Sequence, residues 1–487
     1  MEKKFLCYED FGAKGDGVAD DLHAIVACHE EANRTGTPVK ARDGARYYIG
    51  TKKMTAHIKT DVDFGTAEFI IDDRGLEDIR FDVFEAVSDF PAFNPGIKTL
   101  RRGQTKVDIE HEGNIYVRVF NDNKKIFIRE GLNMNNGTAT TDCFLVDAEG
   151  NITPSVDWDY PEITKCWAKR IDDEPITIKG GIFTTIANDA ESFYNYHWHG
   201  IRILRANVTV EGLRHYVTGE GEHGAPYRAF LQIESTANVT IKDVVLTPHF
   251  VYWTESKVPG VPVAMGSYDL NDGSSINIRH INVTQTVDIN DTRYWGIYTS
   301  NFSKNLSFEG CTLSRFDAHM GVTNLTVKNC LFGHQGMNLI GFGEAYIENT
   351  EVRCHHFFGL RGDYGSIWHG NVTIKNCYWN YRRETVWGDA DDKTYMFFAW
   401  NNGHHDFGFH CSMPTEVTVD GLRINDTLFG EPAYLLPVYK NESGEERPFP
   451  YQPTKRVIAR GVTTVSGRPA ELCKNKELYK NTVADIE

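Results

Sequence analysis

From residue 176 onward a four-residue phrase of alternating apolar and polar side chains recurs along the chain. Its copies are Ile176-Thr-Ile-Lys, Val208-Thr-Val-Glu, Val239-Thr-Ile-Lys, Ile276-Asn-Ile-Arg, Leu306-Ser-Phe-Glu, Leu325-Thr-Val-Lys, Ala345-Tyr-Ile-Glu, Val372-Thr-Ile-Lys and Val417-Thr-Val-Asp. Period-two alternation with β-branched enrichment predicts a strand with one buried face at each copy. Successive copies end 19 to 45 residues apart. A unit of about 20 residues that tolerates insertions predicts a solenoid, in which each coil buries its apolar face only by stacking on its neighbours. A sandwich, with turn signals about every 8 to 12 residues, fits this spacing less well. Asn329, Asn349 and Asn376 follow the phrase at one offset, and Cys311, Cys330 and Cys377 share the next register. Stacking predicts a ladder of side-chain amides from the asparagines and a narrow interior lined by the small thiols.

Ahead of the repeat, Gly12, Gly15 and Gly17 predict tight turns, and Asp20 or Asp21 an N-cap for a helix over 21–33. Leu22, Ile25, Val26 and His29 share one face of that helix and make it a lid on the solenoid end. The phrase disappears between about 80 and 172. There Tyr116-Val-Arg-Val-Phe, the polar turn Asn121-Asp-Asn-Lys124, Ile126-Phe-Ile-Arg and later Phe144-Leu-Val-Asp predict hairpins of a small β insertion. Such an insertion suits a carbohydrate-binding module, an oligomer-forming module or a wall of a cleft. Pro432, Pro437, Pro448 and Pro453 predict an irregular C-terminal cap with one further strand near 456–459. The expected organisation is a cap and first coils over 1–79, a β-rich insertion over 80–172, the main solenoid over 173–430 and a cap over 431–487.

The run Asp10-Phe-Gly-Ala-Lys-Gly-Asp-Gly-Val-Ala-Asp-Asp21, followed by the amphipathic segment and the repeated phrase, resembles the pectin-lyase-like right-handed parallel β-helix superfamily, in the branch that opens with this Gly-rich phrase. The resemblance covers roughly residues 8–75 and 176–430. It implies an all-β chain: a right-handed parallel β-helix of three-strand coils with an N-terminal capping helix. A nucleotide-binding reading of the Gly-rich run is disfavoured, because it has neither a preceding strand nor GxGxxG spacing. Polygalacturonase-like members carry Asn-Thr-Asp, Asp-Asp, Gly-His-Gly and Arg-Ile-Lys phrases on successive coils. Here Arg202-Ile-Leu and His199-Gly200 are fragments out of place, and the Asp cluster with an Arg-Pro pair of pectate-lyase-like members is missing too. The resemblance therefore implies the fold and leaves the substrate open.

Composition narrows the partners. Of 487 residues 41% are hydrophobic and 24% charged, and 51 basic against 67 acidic residues give a formal charge of -16. That field repels polyanions and argues against nucleic acid. No stretch approaches the roughly 18 consecutive apolar residues of a membrane-spanning helix, so no membrane partner is expected. The start through Glu2, Lys3, Lys4, Phe5, Leu6 and Cys7 lacks the apolar segment of a secretory signal, which makes a cytoplasmic location the expectation. The ten cysteines include no CxxC pair, so free thiols are expected and no metal ligands are assigned. Asn207-Val-Thr and Asn238-Val-Thr have the form of glycosylation acceptors and are expected instead to belong to the repeat.

In stacked coils, side chains line up about 4.8 Å apart along a shallow face suited to an extended polymer. Taking Trp295-Gly-Ile-Tyr, Met320-Gly-Val, Met337-Asn-Leu-Ile, Phe357-Phe-Gly-Leu and Met396-Phe-Phe-Ala as equivalent strands puts polar residues in a column just ahead of them. The column reads Asp291 and Arg293, then Arg315, Asp317 and His319, then His334 and Gln335, then His355 and His356, closing with Arg361 and Asp363. A lone histidine or aspartate is most often a packed or turn residue; the shared register points to a site. Trp295, Tyr364, Trp368, Tyr378, Trp379, Tyr381, Trp387 and Trp400 crowd the same third of the chain, either as sugar-stacking rings or as core.

Two reactions fit the column. In a glycoside hydrolase, the slightly preferred reading, Asp317 leads and Asp291 on a neighbouring coil is its partner carboxylate, with His319 and Asp363 as further catalytic candidates. Asp317→Asn is then expected to stop turnover with the fold intact. Arg293, Trp295, His334, His355, His356, Arg361 and Tyr364 are the expected substrate-binding residues. In a polysaccharide lyase, Arg361, Arg293 and the histidines neutralise a uronate carboxylate and remove its α-proton. No cofactor is expected, save calcium in the lyase reading, for which Gly388-Asp-Ala-Asp-Asp392 is the candidate loop. The partner in either case is an oligo- or polysaccharide, acidic in the lyase reading. The remaining alternative is a non-catalytic glycan-binding or trimeric structural β-helix, a homo-oligomer as superfamily members on viral spikes are.

Overall fold

A computed structural model describes the chain except residues 1–4, 51, 77–79, 193–194, 222–223, 391–393, 400–402 and 437–446. Trp400, Pro437, Asp391, Asp392, Glu2, Lys3 and Lys4 therefore lie outside the described residues.

The helix runs Leu22–Thr35 and ends at Gly36 in the left-handed region. Asp20 accepts a hydrogen bond from the Leu22 N–H at 3.1 Å, and the Asp21 carboxylate accepts from Lys14 and Gly15 at 2.6 and 3.0 Å. These bonds tie the Gly-rich run to the helix start. Leu22, Ile25, Val26 and His29 are all buried, so this face closes the first coil.

Behind the helix the chain winds through three parallel stacks. The first holds the repeated phrases: Thr177 pairs with Thr209, Thr209 with Thr240, Ser307 with Thr326, Thr326 with Tyr346, Tyr346 with Thr373 and Thr373 with Thr418. One coil departs from the expected register. Val239 pairs with Ile278 rather than Ile276, so the phrase there is Ile278-Arg-His-Ile, and His280 points inward, fully buried and stacked 4.3 Å from Phe308.

Asparagines turn the corners. Asn329, Asn349 and Asn376 adopt φ of 49 to 55°, and Asn349 donates to the Asn329 side-chain oxygen at 3.2 Å. A second, longer ladder precedes the same strands, Asn238 to Asn207, Asn277 to Asn238, Asn305 to Asn277 and Asn324 to Asn305, at 2.8 to 3.1 Å. Asn is the non-glycine residue that best tolerates left-handed backbone, and its amide bridges to the next coil. This accounts for the Asn-Val-Thr triplets: Asn sits at the corner and Thr on the outer face of the strand that follows. Cys311, Cys330 and Cys377 are buried, and all ten cysteines are free thiols.

The third stack comprises Ala56–Ile58, Phe84–Ala86, Ile201–Ile203, Leu231–Glu234, Leu270–Gly273, Tyr298–Asn301, residues 316–318 and 337–339, Phe358–Leu360 and Phe397–Ala399. Phe84–Ala86 is thus a rung of the β-helix inside the stretch read as insertion. Arg456–Thr464 and Val483–Ile486 add rungs beyond 430, where the sequence led us to expect a cap with a single strand.

Between Phe84–Ala86 and the first repeated phrase at Ile176, the segments Ile115–Ile126, Thr138–Val146, Ile152–Thr153 and Lys165–Arg170 form a separate antiparallel sheet. The predicted turn at 121–124 is a bulge inside Ile115–Ile126, whose hairpin partner is Thr138–Val146. Its polar residues reflect exposure at the bulge rather than chain reversal. The sheet docks on the β-helix through the Tyr116 hydroxyl, which donates to Ser274 O at 2.5 Å, and through buried Lys304, 2.6 Å from Asp142 and 3.0 Å from Asp157. Among the described residues no helix is long and apolar enough to cross a membrane.

Candidate functional site

Strands of the third stack alternate cleanly. Tyr298, Phe316, Met337, Phe358 and Phe397 point inward and are fully buried. Thr299, Asp317, Asn338, Gly359 and Phe398 pair in succession and form an outward column. Tyr298 and Phe316 stack at 5.1 Å, which fixes the register. The sequence alignment, anchored on Trp295 and Met320, was therefore displaced, and Asp317 lies on a strand rather than ahead of one. Its rung neighbours are Thr299 and Asn338, so neither adjacent position in the column is a carboxylate.

Asp317 is fully buried and carries a dense set of contacts. Arg315 Nη2 lies 2.5 Å and the Tyr268 hydroxyl 3.1 Å from its Oδ2, while Arg361 Nη1 lies 3.0 Å from both oxygens. Burial alone would raise its pKa, but Arg315 and then Arg361 hold the carboxyl well below the usual range. Asp363 behaves likewise: Arg361 and Arg129 outweigh burial and keep it ionised. Arg129, from the loop that leaves the insertion sheet, reaches Asp363 at 2.6 and 2.7 Å. His319 sits beside this network, with Nε2 2.8 Å from the Tyr364 hydroxyl and Nδ1 3.4 Å from Arg361 Nη1. Burial, and then Arg361, lower its pKa below 6.5, so the ring is neutral near pH 7. Burial and Asp317 raise that of Tyr268, which keeps the phenol protonated.

A cavity of about 390 Å³ opens over the column. Arg129, Arg315, Arg361, His319, His355 and His356 supply its polar wall, with Gln335, Asn338, Asp363 and Tyr268. Trp295, Trp387 and Phe398 supply flat apolar surface. Trp295 is clamped between the Arg315 guanidinium, 4.2 Å from its ring, and the backbone of Gly266, where a methyl group would lie 1.8 Å from the indole nitrogen. Trp387 meets Trp295 edge-on at 5.8 Å and is 57% exposed, so its ring is available for stacking. The rim is built from the 127–135 loop, the hairpin Tyr252–Glu255 with Pro262–Met265, and the Glu384–Thr385 and Gly388–Asp389 turn.

Of the residues singled out by sequence, the structure gathers Asp317, His319, Arg361, Asp363 and Tyr364 into one network and places Trp295, His355 and His356 on the cavity wall. Asp291 and Arg293 stand apart from that wall: they pair with each other at 2.5 Å, and Arg293 is largely exposed. His334 is buried with Nδ1 2.9 Å from Ile289 O and anchors the loop that carries Asp291. Trp368, Trp379, Tyr364 and Tyr381 are core residues. Asp389, in the described part of the proposed calcium loop, is exposed. The sequence reading missed Arg129 and Tyr268. Arg129 is 234 residues from its partner Asp363, a separation no periodicity announces. Tyr268 was legible only through the correct register of Leu270–Gly273.

No protein-family model and no curated protein matches the chain in sequence. Solved structures match it in fold. The gp61 tailspike of Pseudomonas phage phi297 aligns with a TM-score of 0.55 at 11% identity, over 98% of this chain and 83% of that one. The gp54 tailspike of Acinetobacter baumannii bacteriophage AP22, solved in complex with A. baumannii capsular saccharide, aligns at 0.48 and 10% identity, over 99% and 79%. The A-module of Azotobacter vinelandii mannuronan C-5 epimerase AlgE4 aligns at 0.40 and 11% identity, over 99% of each chain. At such identities the likeness is one of architecture alone. The chain is an all-β protein with the right-handed parallel β-helix fold of the pectin-lyase-like proteins.

Proposed function

We propose that this protein acts on an acidic, uronate-containing oligo- or polysaccharide and breaks its glycosidic bond by elimination. The observation that carries this reading is the charge arrangement: three guanidinium groups, of Arg129, Arg315 and Arg361, line one cavity, and the carboxylates they hold ionised are Asp363 on its wall and Asp317 buried behind it. The guanidiniums neutralise the substrate carboxylate and stabilise the negative charge that develops when its α-proton leaves. Neutral His319, which lines the cavity between the Tyr364 hydroxyl and Arg361, takes that proton. The bond to the leaving oxygen breaks, a double bond forms in the uronate ring, and the Tyr268 phenol gives its proton to the departing oxygen. Trp295 and Trp387 hold sugar faces.

A hydrolase would need a carboxylic acid that carries a proton at neutral pH. Asp363 at the cavity and buried Asp317 are both locked by arginine, and Asp291 is paired elsewhere, which weighs against Asp317 as the acid of a hydrolytic pair. The test is incubation with neutral and acidic oligosaccharides, read by ultraviolet absorbance of the unsaturated uronate and by new reducing ends. Elimination requires both signals, on acidic substrates only. Reducing ends without the absorbance would overturn it in favour of hydrolysis, and saccharide binding with neither signal would leave a binding protein.

A further inference from the structure

We infer that Cys354, His355 and His356 form a binding site for a soft divalent cation of the zinc class, opening onto the groove. One ligand atom from each residue lies within 4.8 Å of the others. Cys354 Sγ is 3.5 Å from His355 Nδ1 and 3.8 Å from His356 Nδ1, and His356 Nδ1 is 3.1 Å from His355 Nε2. A tetrahedral ion with Zn–S of about 2.3 Å and Zn–N of about 2.0 Å separates its sulfur and nitrogen ligands by about 3.5 Å, and two nitrogens by about 3.3 Å. His355 turns Nδ1 to Cys354 and Nε2 to His356, so a shared ion takes one of these nitrogens as the half-buried ring rotates; the three side chains meet because the backbone turns a coil corner between Glu351–Val352 and Phe358–Leu360.

The surroundings hold this space open. A methyl group at Gly336 would lie 3.0 Å from Cys354 Sγ, and one at Gly359 would lie 2.6 Å from His356 Nε2. The His356 ring is stacked on Phe398. Cys354 and His356 are buried while His355 is half-buried, and both imidazoles line the cavity, so an ion has an entry path and an outward coordination position. A thiolate with two imidazoles selects zinc-like ions; calcium and magnesium take oxygen donors. The thiol proton leaves to solvent as the sulfur coordinates. The site stands independently of the elimination reaction.

The full-length chain, stripped with a chelator and kept reduced, is titrated with cobalt(II). One equivalent should give a thiolate-to-cobalt charge-transfer absorption and the intense visible bands of a tetrahedral centre, and zinc should bleach both. Cys354→Ser, His355→Gln and His356→Gln should each weaken binding by at least about 100-fold, with circular dichroism unchanged, whereas His369→Gln should bind as the wild type does. Half-buried His355 carries the test should the buried Cys354 variant not fold. Absence of the charge-transfer band, or affinity retained in His355→Gln, would overturn the inference.

Discussion

Arg361 places one guanidinium nitrogen 3.0 Å from both carboxylate oxygens of Asp317. Its other nitrogens lie 2.8 and 3.1 Å from Asp363, so a single side chain bridges the acids of the groove. Removing one partner of a buried ion pair leaves the other charged and desolvated. Arg361→Met should therefore lower stability by about 3 to 5 kcal/mol in urea unfolding. Asp317→Asn, expected from sequence to leave the fold intact, should cost a similar amount, since it strands Arg315 and Arg361. A loss of less than about 1 kcal/mol, the size of an exposed pair, would contradict the bridge.

The same network sets the acid limb of the stability curve. Asp317 and Asp363 have folded pKa values depressed below the unfolded ones, so their stabilisation is complete above about pH 5 and is lost as pH falls through the folded values. Stability measured by denaturant should drop steeply below about pH 4, and Arg361→Met should flatten that slope.

His249 acts in the opposite direction. Burial would lower its pKa, but Glu220 at 3.0 Å and Asp269 at 3.8 Å push it up from 6.5 to about 9. A raised folded pKa gives stabilisation that is full below 6.5 and lost as pH rises through about 9. Thermal melts of the wild type should weaken across that window, and His249→Gln, less stable at pH 6, should lack the decline.

Much of this architecture was legible in the chain. Period-two phrases located the first stack, and the repeated asparagines marked corners because left-handed backbone selects Asn over bulkier residues. Asp317 and His319 stood out as polar residues clustered with those of neighbouring coils, although the strand that carries them starts at Phe316 rather than Met320. Asp291 was misjudged because Trp295, an apolar ring ahead of a strand, was mistaken for the inward position that Tyr298 fills. Arg129 was invisible because tertiary docking of the insertion, not local pattern, delivers it.

The Asn ladder predicts its own mutational cost. Asn324 donates to Asn305 at 2.9 Å, accepts from the Glu344 N–H at 3.1 Å and has φ of 61°. Asn324→Ala should destabilise by about 2 to 3 kcal/mol, combining lost hydrogen bonds with left-handed strain. Asn324→Gly should cost less, because it removes only the bonds.

His319 as base predicts a rate that rises with pH through a pKa below 6.5, as the ring loses its proton. His319→Gln should lower kcat by about 10² to 10⁴-fold and abolish that limb, with KM for the acidic saccharide little changed.

The most direct measurement is turnover of a uronate-containing oligosaccharide in heavy water, with recovered substrate and product examined by mass spectrometry and proton NMR. Abstraction at the carbon α to the carboxylate predicts an unsaturated product that has lost that hydrogen. The loss should disappear in His319→Gln. Cleaved product that keeps the α-hydrogen would contradict the account.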